Sequence, residues 1–346
     1  FWPTIGGVEV AGAELIRRLK ERGYQLVVVT QDEGERTKET DSFAGIPVHR
    51  FPFFSVLENA ELASIGEIRR SLTRLADEFQ PHLIHIHNLG PQVVFQDMIF
   101  RSRPVKTLVT RHELFDPKQP VGPETIPIRV LKSADWVACC SRTVLEETHR
   151  VVPETISRSS VILNAPAMPE TDPSEIPIDP PRVLCIGRFT VQKGFDVALE
   201  AFPAVMERYP GAQLILAGDG PTRADLEARV SELGIGGSVS FRGWIAPPDV
   251  PGEINECTLV VMPSRHGEGL PLVALESAHL GRPVIASRVG GLKETVRDGV
   301  TGLLVEPEDG PALSDAMLSL LDRPDKIRAL GQAAREHAAN FNFCLL

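Results

Sequence analysis

Two short stretches of this sequence concentrate residue types that can do chemistry. The first, HGEGLPLVALE at 266–276, carries two carboxylates, Glu268 and Glu276, with Gly267, Gly269 and Pro271 around them. Proline is tolerated in a first helical turn, so a helix is expected to begin here, with the N–H groups around 269–272 left as unpaired donors. The glycines let the main chain approach a ligand closely. A carboxylate accepts two hydrogen bonds at once, which suits a vicinal diol such as a ribose or a sugar ring. The second stretch, GRFTVQKGF at 187–195, leaves the strand-like run RVLCIG and enters a helix. Arg188 and Lys193 therefore stand at a strand's carboxyl end, beside a helix amino terminus whose positive dipole end favours anions. That is a phosphate site in outline. Each residue also has a plainer reading: Arg188 and Lys193 as solvated cations, Glu268 as an acid complementing a helix start, Glu276 as a polar-face residue. The placement of the two cations together with Gly194, which opens the helix without side-chain obstruction, favours the ligand.

Histidines form a third group. HLIHIHN at 82–88 reads as a strand, and alternation puts His85 and His87 on one face, with Asn88 at the carboxyl end. Histidines on strands are commonly core residues satisfied by their neighbours; His85 reads as structural, and His87, nearer the strand's end, is a candidate substrate contact. With no third ligand in view the pair does not read as a metal site. GDGP at 218–221 looks like part of a dinucleotide fingerprint, but Arg223 occupies the place of its last small residue. Arg69, Arg70 and Arg74 share their helix with Glu61, Glu67, Asp77 and Glu78, which makes a solvated face rather than a membrane-binding one. The five cysteines, Cys139, Cys140, Cys185, Cys257 and Cys344, are odd in number and lack metal-type pairing, so they read as reduced, mostly buried thiols in a cytoplasmic setting.

The elements that must position these residues follow from periodicity. At 346 residues, with 42% hydrophobic and 24% charged residues, the chain is an ordinary globular protein and long for one core, so two domains are expected. The formal charge of −10 argues against nucleic acid as a partner, and no apolar run approaches a membrane span. Strands are expected at 24–30, 82–88, 105–110, 135–140 and 160–163, alternating with helices near 8–21, 61–79, 91–100, 124–133 and 142–150. NAPAMPETDPSEIPIDPP, 164–181, then breaks the pattern with six prolines. Alternation restarts with the strands RVLCIG, QLILAG, SVSF, TLVVM and PVIA, and helices near 194–208, 222–233, 271–280, 311–321 and 325–339. Strands apolar on both faces and separated by helices mean parallel sheets with both faces covered. The expected organisation is two doubly wound, Rossmann-like α/β domains, 1–165 and 182–346, joined by a proline-rich linker at 166–181. Ligands of such sheets sit beyond the carboxyl ends of the strands.

GRFTVQKG, followed at the expected distance by EGLPLVALE, resembles glycosyltransferase family 4, retaining enzymes of GT-B fold. The likeness continues in order through GGVE (6–9), HIHN (85–88), VTRHE (109–113), ADWVACCS (134–141), VILNAP (161–166), LILAGDGP (214–221), VSFRGW (239–244) and GGLKETVRDGVTGLLV (290–305). The resemblance implies two domains facing a cleft, the first on the acceptor side and the second binding the donor. It implies that Arg188 and Lys193 hold the diphosphate of a nucleotide-sugar donor, that Glu276 grips the ribose, and that Glu268 lies at the donor-sugar end with the N–H groups of Gly269 and Leu270. His112 would face the donor sugar, Gly6 and Gly7 would form the turn beside the diphosphate and acceptor, and Gly243 and Trp244 would meet the base. The implied activity is sugar transfer with retained anomeric configuration to a hydroxyl acceptor, be it glycan, lipid or small molecule, without a metal or other cofactor. Rival readings are a nucleotide-sugar epimerase or hydrolase of the same fold, and a non-catalytic nucleotide-sugar binding fragment. The implied setting is cytoplasmic, with the inner face of a membrane as an option, and the oligomeric state is open. The chain departs from the family at both ends: only FWPTI precedes GGVE where a strand is expected, and NFNFCLL stops where a last helix should cross back. The first strand is thus expected to be missing, and the chain to be a truncated fragment.

Overall fold

The computed structural model describes residues 6–32, 34, 42–100, 105–116, 121–164 and 171–341. FWPTI, residues 342–346 of the NFNFCLL end, and with them Cys344, lie outside the described residues. The chain divides into two compact units, Phe1–Ile162 and Leu163–Leu346.

The first unit runs α1 (Gly7–Glu21), β1 (Val28–Gln31), β2 (Ser42–Phe43), β3 (Ile46–Phe51), α2 (Phe53–Glu58), α3 (Leu62–Phe79), β4 (Leu83–His87), α4 (Gln92–Phe100), β5 (Lys106–Arg111), α5 (Ile126–Ser133), β6 (Trp136–Cys139), α6 (Arg142–Val151) and β7 (Ser159–Val161). Among the described residues, β4, β5, β6 and β7 form one parallel sheet in that order. A second sheet pairs β1 parallel to β3 and β3 antiparallel to the two-residue β2. The helices stand close to where periodicity puts them. The first strand differs: it begins at Val28 rather than 24, because only Val28–Gln31 meets a ladder partner, in β3. Sequence patterning gives no sign of β2, β3 or α2, whose segment carries Pro47 and Pro52.

The second unit runs β8 (Arg182–Ile186), α7 (Phe195–Arg208), β9 (Gln213–Ala217), α8 (Arg223–Glu232), β10 (Val239–Gly243), α9 (Val250–Asn255), β11 (Leu259–Met262), α10 (Leu272–His279), β12 (Val284–Ser287), α11 (Leu292–Thr295), β13 (Gly302–Val305), α12 (Gly310–Leu321) and α13 (Pro324–Ala338). Its parallel sheet has the order β10-β9-β8-β11-β12-β13. Alternation along each strand fills two cores: Val183, Leu214, Leu216, Leu259 and Val261 join one with α7 and α12, while Leu184, Ile215, Val260 and Met262 join the other with α9 and α10. Being apolar on both faces is what a parallel sheet between two helical layers requires. Order reverses at β8, which was laid down first and lies between β9 and β11, so the crevice of this sheet opens at the carboxyl ends of β8 and β11.

The proline-rich segment is bonded into this second unit. Thr258 Oγ1 donates to the Pro177 carbonyl at 2.5 Å, Asn255 Nδ2 to the Asp172 carbonyl at 2.8 Å, and Ile176 and Ile178 pack against the core. Arg282, 1% exposed, donates to the carbonyls of Cys257, Leu280, Ser174 and Asn255 and to Ser174 Oγ. Prolines deny this stretch a ladder of its own, and its free carbonyls are satisfied by side chains instead. Cys139, Cys140, Cys185 and Cys257 are buried thiols outside any disulfide. Among the described residues no helix is long and apolar enough to cross a membrane.

Candidate functional site

The loops after β8 and β11, which the strand order sets side by side, hold the residues with the richest chemistry. In the first, Gly194 caps α7 in the left-handed region (φ 64°), and a Cβ there would stand 2.1 Å from the carbonyl oxygen of Pro263 in the second loop. Only glycine permits so close an approach of the two backbones. Lys193 Nζ lies 2.7 Å from Glu268 Oε1, and Ser264 Oγ donates to the same oxygen at 2.5 Å. Glu268 is 5% exposed, so the ion pair neutralises a buried carboxylate. Arg188 is exposed, and among the described residues its guanidinium meets no hydrogen-bond or ion-pair partner. The expected pair of cations is thus split: Lys193 is bonded to Glu268, and Arg188 has no such partner among the described residues.

Behind them α10 begins after Pro271. Gly269 and Leu270 are buried, and neither N–H group meets an acceptor among the described residues. Their backbone is fixed from β12's side: Gly291 N–H donates to the Glu268 carbonyl at 2.8 Å, and a Cβ on Gly291 would stand 1.8 Å from the Gly269 carbonyl oxygen. Glu276, one turn further along α10, has no donor to its carboxyl among the described residues, and burial pushes it up to about 7. Gly243 ends β10 with φ 68° and accepts from Gly218 N–H at 2.7 Å, while Trp244 beyond it is 55% exposed.

The first unit gathers its histidines. His85 Nε2 lies 2.6 Å from Thr110 Oγ1, and His87 Nδ1 lies 3.0 Å from His112 Nε2, with the His87 and His112 rings stacked at 5.3 Å between centroids. Burial, with smaller contributions from His87 and His112, lowers His85 to about 3, and burial lowers His87 to about 4. Both rings are neutral at physiological pH. Asn88, in the left-handed region at φ 62°, ends β4 by donating its N–H to Thr110 and accepting His112 N–H on its side chain at 3.3 Å. His112 is held by its neighbours and 7% exposed. Next to it Arg111, 3% exposed, donates to Thr148 and Glu147 and lies over the Phe115 ring at 3.8 Å. Gly6 caps α1 with extended backbone and Gly7 opens that helix, so its first N–H groups have no side-chain cap.

The structure therefore joins Lys193 to Glu268 and His87 to His112. It adds Ser264, Arg265, Asp196, Gln192 and Gly291, which sequence reasoning passed over. Ser264 and Arg265 immediately precede the HGEGLPLVALE stretch, so proximity to Glu268 was a usable signal, and Gly291 lies in the GGLKETVRDGVTGLLV stretch; Asp196 gave none. Among the described residues no group of three or more His, Cys, Asp or Glu is arranged to hold a metal ion.

Two Rossmann-like α/β units, the second with cations, carboxylates and free N–H groups collected at its switch point, define the GT-B class of fold. Residues 5–165 match the family described as Glycosyltransferase Family 4, and residues 180–323 that described as Glycosyl transferases group 1. A D-inositol 3-phosphate glycosyltransferase from Thermobispora bispora is 30% identical over 372 residues, covering 98% of this chain and 87% of that protein. The chain belongs to glycosyltransferase family 4. An alpha-D-kanosaminyltransferase from Streptomyces kanamyceticus is 36% identical over 47% of this chain, and a GDP-mannose-dependent phosphatidylinositol monomannoside mannosyltransferase from Mycolicibacterium smegmatis is 36% identical over 46%. The chain spans less than half the length of these two relatives, 42% and 44%. Among solved structures, sucrose-phosphate synthase from Thermosynechococcus elongatus superposes with a TM-score of 0.81 at 24% identity, covering 96% of this chain and 90% of that one. Anabaena HepE in complex with UDP-glucose gives 0.77 at 19%, covering 98% and 92%. At these identities the likeness is one of fold.

Proposed function

We propose that this chain is a retaining, metal-independent glycosyltransferase that moves a sugar from a nucleotide-diphosphate donor to a hydroxyl acceptor. The observation that carries the reading is the Lys193–Glu268–Ser264 cluster with Arg188, which has no partner among the described residues, in the loops after β8 and β11 where the order of the second sheet reverses. Breaking the bond between sugar and diphosphate builds negative charge on the departing phosphate while the sugar becomes oxocarbenium-like. Fixed positive groups at the phosphate then stabilise the transition state more than the ground state. Arg188, Lys193 and the free N–H groups of Gly269 and Leu270 supply that charge from the protein itself, which is the support for metal independence. Glu276 takes the ribose diol and Glu268 the sugar hydroxyls, released from Lys193 as the cation turns to phosphate. Retention follows if the acceptor attacks from the face the phosphate leaves, passing its proton to that phosphate. The relatives' names, which include GDP-mannose-dependent transfer, and HepE's complex with UDP-glucose support a nucleotide-sugar donor.

The test is release of free nucleotide from a panel of nucleotide sugars, UDP-glucose and GDP-mannose among them, with and without polyol and glycoside acceptors, in the presence of EDTA. Release that requires an acceptor, survives EDTA and yields a glycoside of the donor's anomeric configuration is the expected result. Equal release without acceptor makes the chain a hydrolase, and binding without any turnover makes it a binding protein.

A further inference from the structure

Arg265 is the most heavily used side chain near the candidate donor site, and it is spent on protein. Its Nη1 and Nη2 grip both Asp196 oxygens at 2.8 and 2.7 Å, Nη1 also donates to the Val191 carbonyl at 2.9 Å, and Nε donates to Glu308 Oε1 at 2.8 Å. Bidentate pairing of this kind adds geometric specificity to charge. Around it the main chain is cross-stitched: Arg265 N–H donates to the Gln192 carbonyl at 2.8 Å, and Gln192 Nε2 returns to the His266 carbonyl at 3.1 Å. All of these bonds except that to Glu308 join the loop carrying Lys193, or the first turn of α7 that follows it, to the loop carrying Glu268. With two carboxylates and a carbonyl already on it, this guanidinium has little left for a ligand, in contrast to Arg188. The two loops are also tied by the Lys193–Glu268 contact. That contact is the one a diphosphate competes for, so a tie that does not involve the ligand is needed to keep the loops in place once Lys193 turns to phosphate.

We propose that Arg265 is a positioning residue of the donor site, fixing the separation of Lys193 and Glu268 whether or not a ligand is bound. The proposal rests on the donor-site reading for its function and on the Asp196 and Glu308 contacts for its mechanism. Loosening the clamp lets the phosphate-binding and sugar-binding groups drift apart, and a misplacement of an ångström is enough to lose much of a preorganised interaction.

Two measurements on Arg265→Met, Arg265→Lys and Asp196→Asn test it. Hydrogen exchange without ligand reads the clamp itself: Arg265→Met is expected to speed exchange at residues 191–196 and 264–269 and to leave β9 and α12 unchanged. Unchanged exchange in both loops overturns the proposal whatever the protein binds. Calorimetric titration with UDP and GDP reads the function: Arg265→Met is expected to weaken the diphosphate that the wild type binds by about tenfold or more. Arg265→Lys, which keeps the charge and loses the two-point grip, should recover part of that loss, and adding Asp196→Asn to Arg265→Met should cost nothing further. Leu320→Ala, a core change in α12, is the control for general destabilisation. If it weakens diphosphate binding as much as Arg265→Met does, Arg265 is structural only and the proposal fails. A wild type that binds neither diphosphate overturns the donor reading, and the function assigned to Arg265 with it, while the exchange result still judges the clamp.

Discussion

Donor affinity should weaken in mild acid, and Glu276 sets by how much. Its carboxyl is raised by burial to about 7, so in the ligand-free protein it is half protonated near neutrality. A ribose diol that donates two hydroxyls needs the ionised form, and below the pKa binding must first expel a proton. The resulting factor is 1 + 10^(pKa − pH), about tenfold between pH 8 and pH 6, or about 1.4 kcal/mol. His85 and His87, lowered to about 3 and about 4, stay neutral throughout this window and contribute nothing to it. The probe should be an intact nucleotide sugar, because a terminal phosphate titrates near pH 6 and a diphosphate esterified at both ends does not. Calorimetric titration from pH 5.5 to 8.5 is expected to show this slope in the wild type and none in Glu276→Gln, which should also bind more weakly at pH 8. The same shift has a consequence for folding with a definite sign. The folded pKa lies above the unfolded value of 4.5, so the stability that Glu276 contributes is fully present below 4.5, declines as pH rises to about 7, and is flat beyond. Relieving that penalty, Glu276→Gln should melt higher than wild type at pH 8, by an amount bounded at roughly 3 kcal/mol and reduced by the residue's partial exposure. A wild-type affinity that is flat or tighter in acid, or an equal slope in Glu276→Gln, refutes the reasoning.

Lys193→Ala should destabilise the protein by about 2–3 kcal/mol, because it strands the buried Glu268 carboxylate, while adding Glu268→Gln should restore most of the melting temperature and none of the nucleotide-sugar affinity. Recovery of affinity in the double variant would mean that Lys193 serves Glu268 and not the phosphate. Gly291→Ala, whose methyl would meet the Gly269 carbonyl oxygen at 1.8 Å, should cost about 1–3 kcal/mol by overpacking and weaken donor binding through the displaced Gly269–Leu270 backbone. Thermal melting with and without a nucleotide sugar checks both effects.

Much of this site could be read from the sequence because its parts are local. A strand that runs out into a glycine-opened helix start, with Arg188 and Lys193 in between, announces an anion site without reference to anything distant, and Glu276, five residues past Pro271, announces a diol-binding carboxylate in the same local way. Proline erases periodicity, so the sequence shows the 166–181 segment only as a proline-rich linker and gives no sign that the carbonyls of Asp172, Ser174 and Pro177 bond to Asn255, Arg282 and Thr258, residues far along the chain. β2 and β3 were missed for the same reason, with Pro47 and Pro52 interrupting the pattern that identifies a strand. The pairings that turn fragments into a site lie further still from what spacing encodes: Lys193 and Glu268 are 75 residues apart, Arg265 and Asp196 69, His87 and His112 25. Which distant loops meet is decided by strand order. Because β8 comes first in sequence and lies inside the sheet, with β9 and β10 on one side and β11 to β13 on the other, the loops after β8 and β11 leave the sheet beside each other. Any order that set another strand between β8 and β11 would leave the same two motifs intact in sequence and separate in space. The loop of Lys193 and the loop of Glu268 meet only through that adjacency, and Arg265 bonds across the junction it creates.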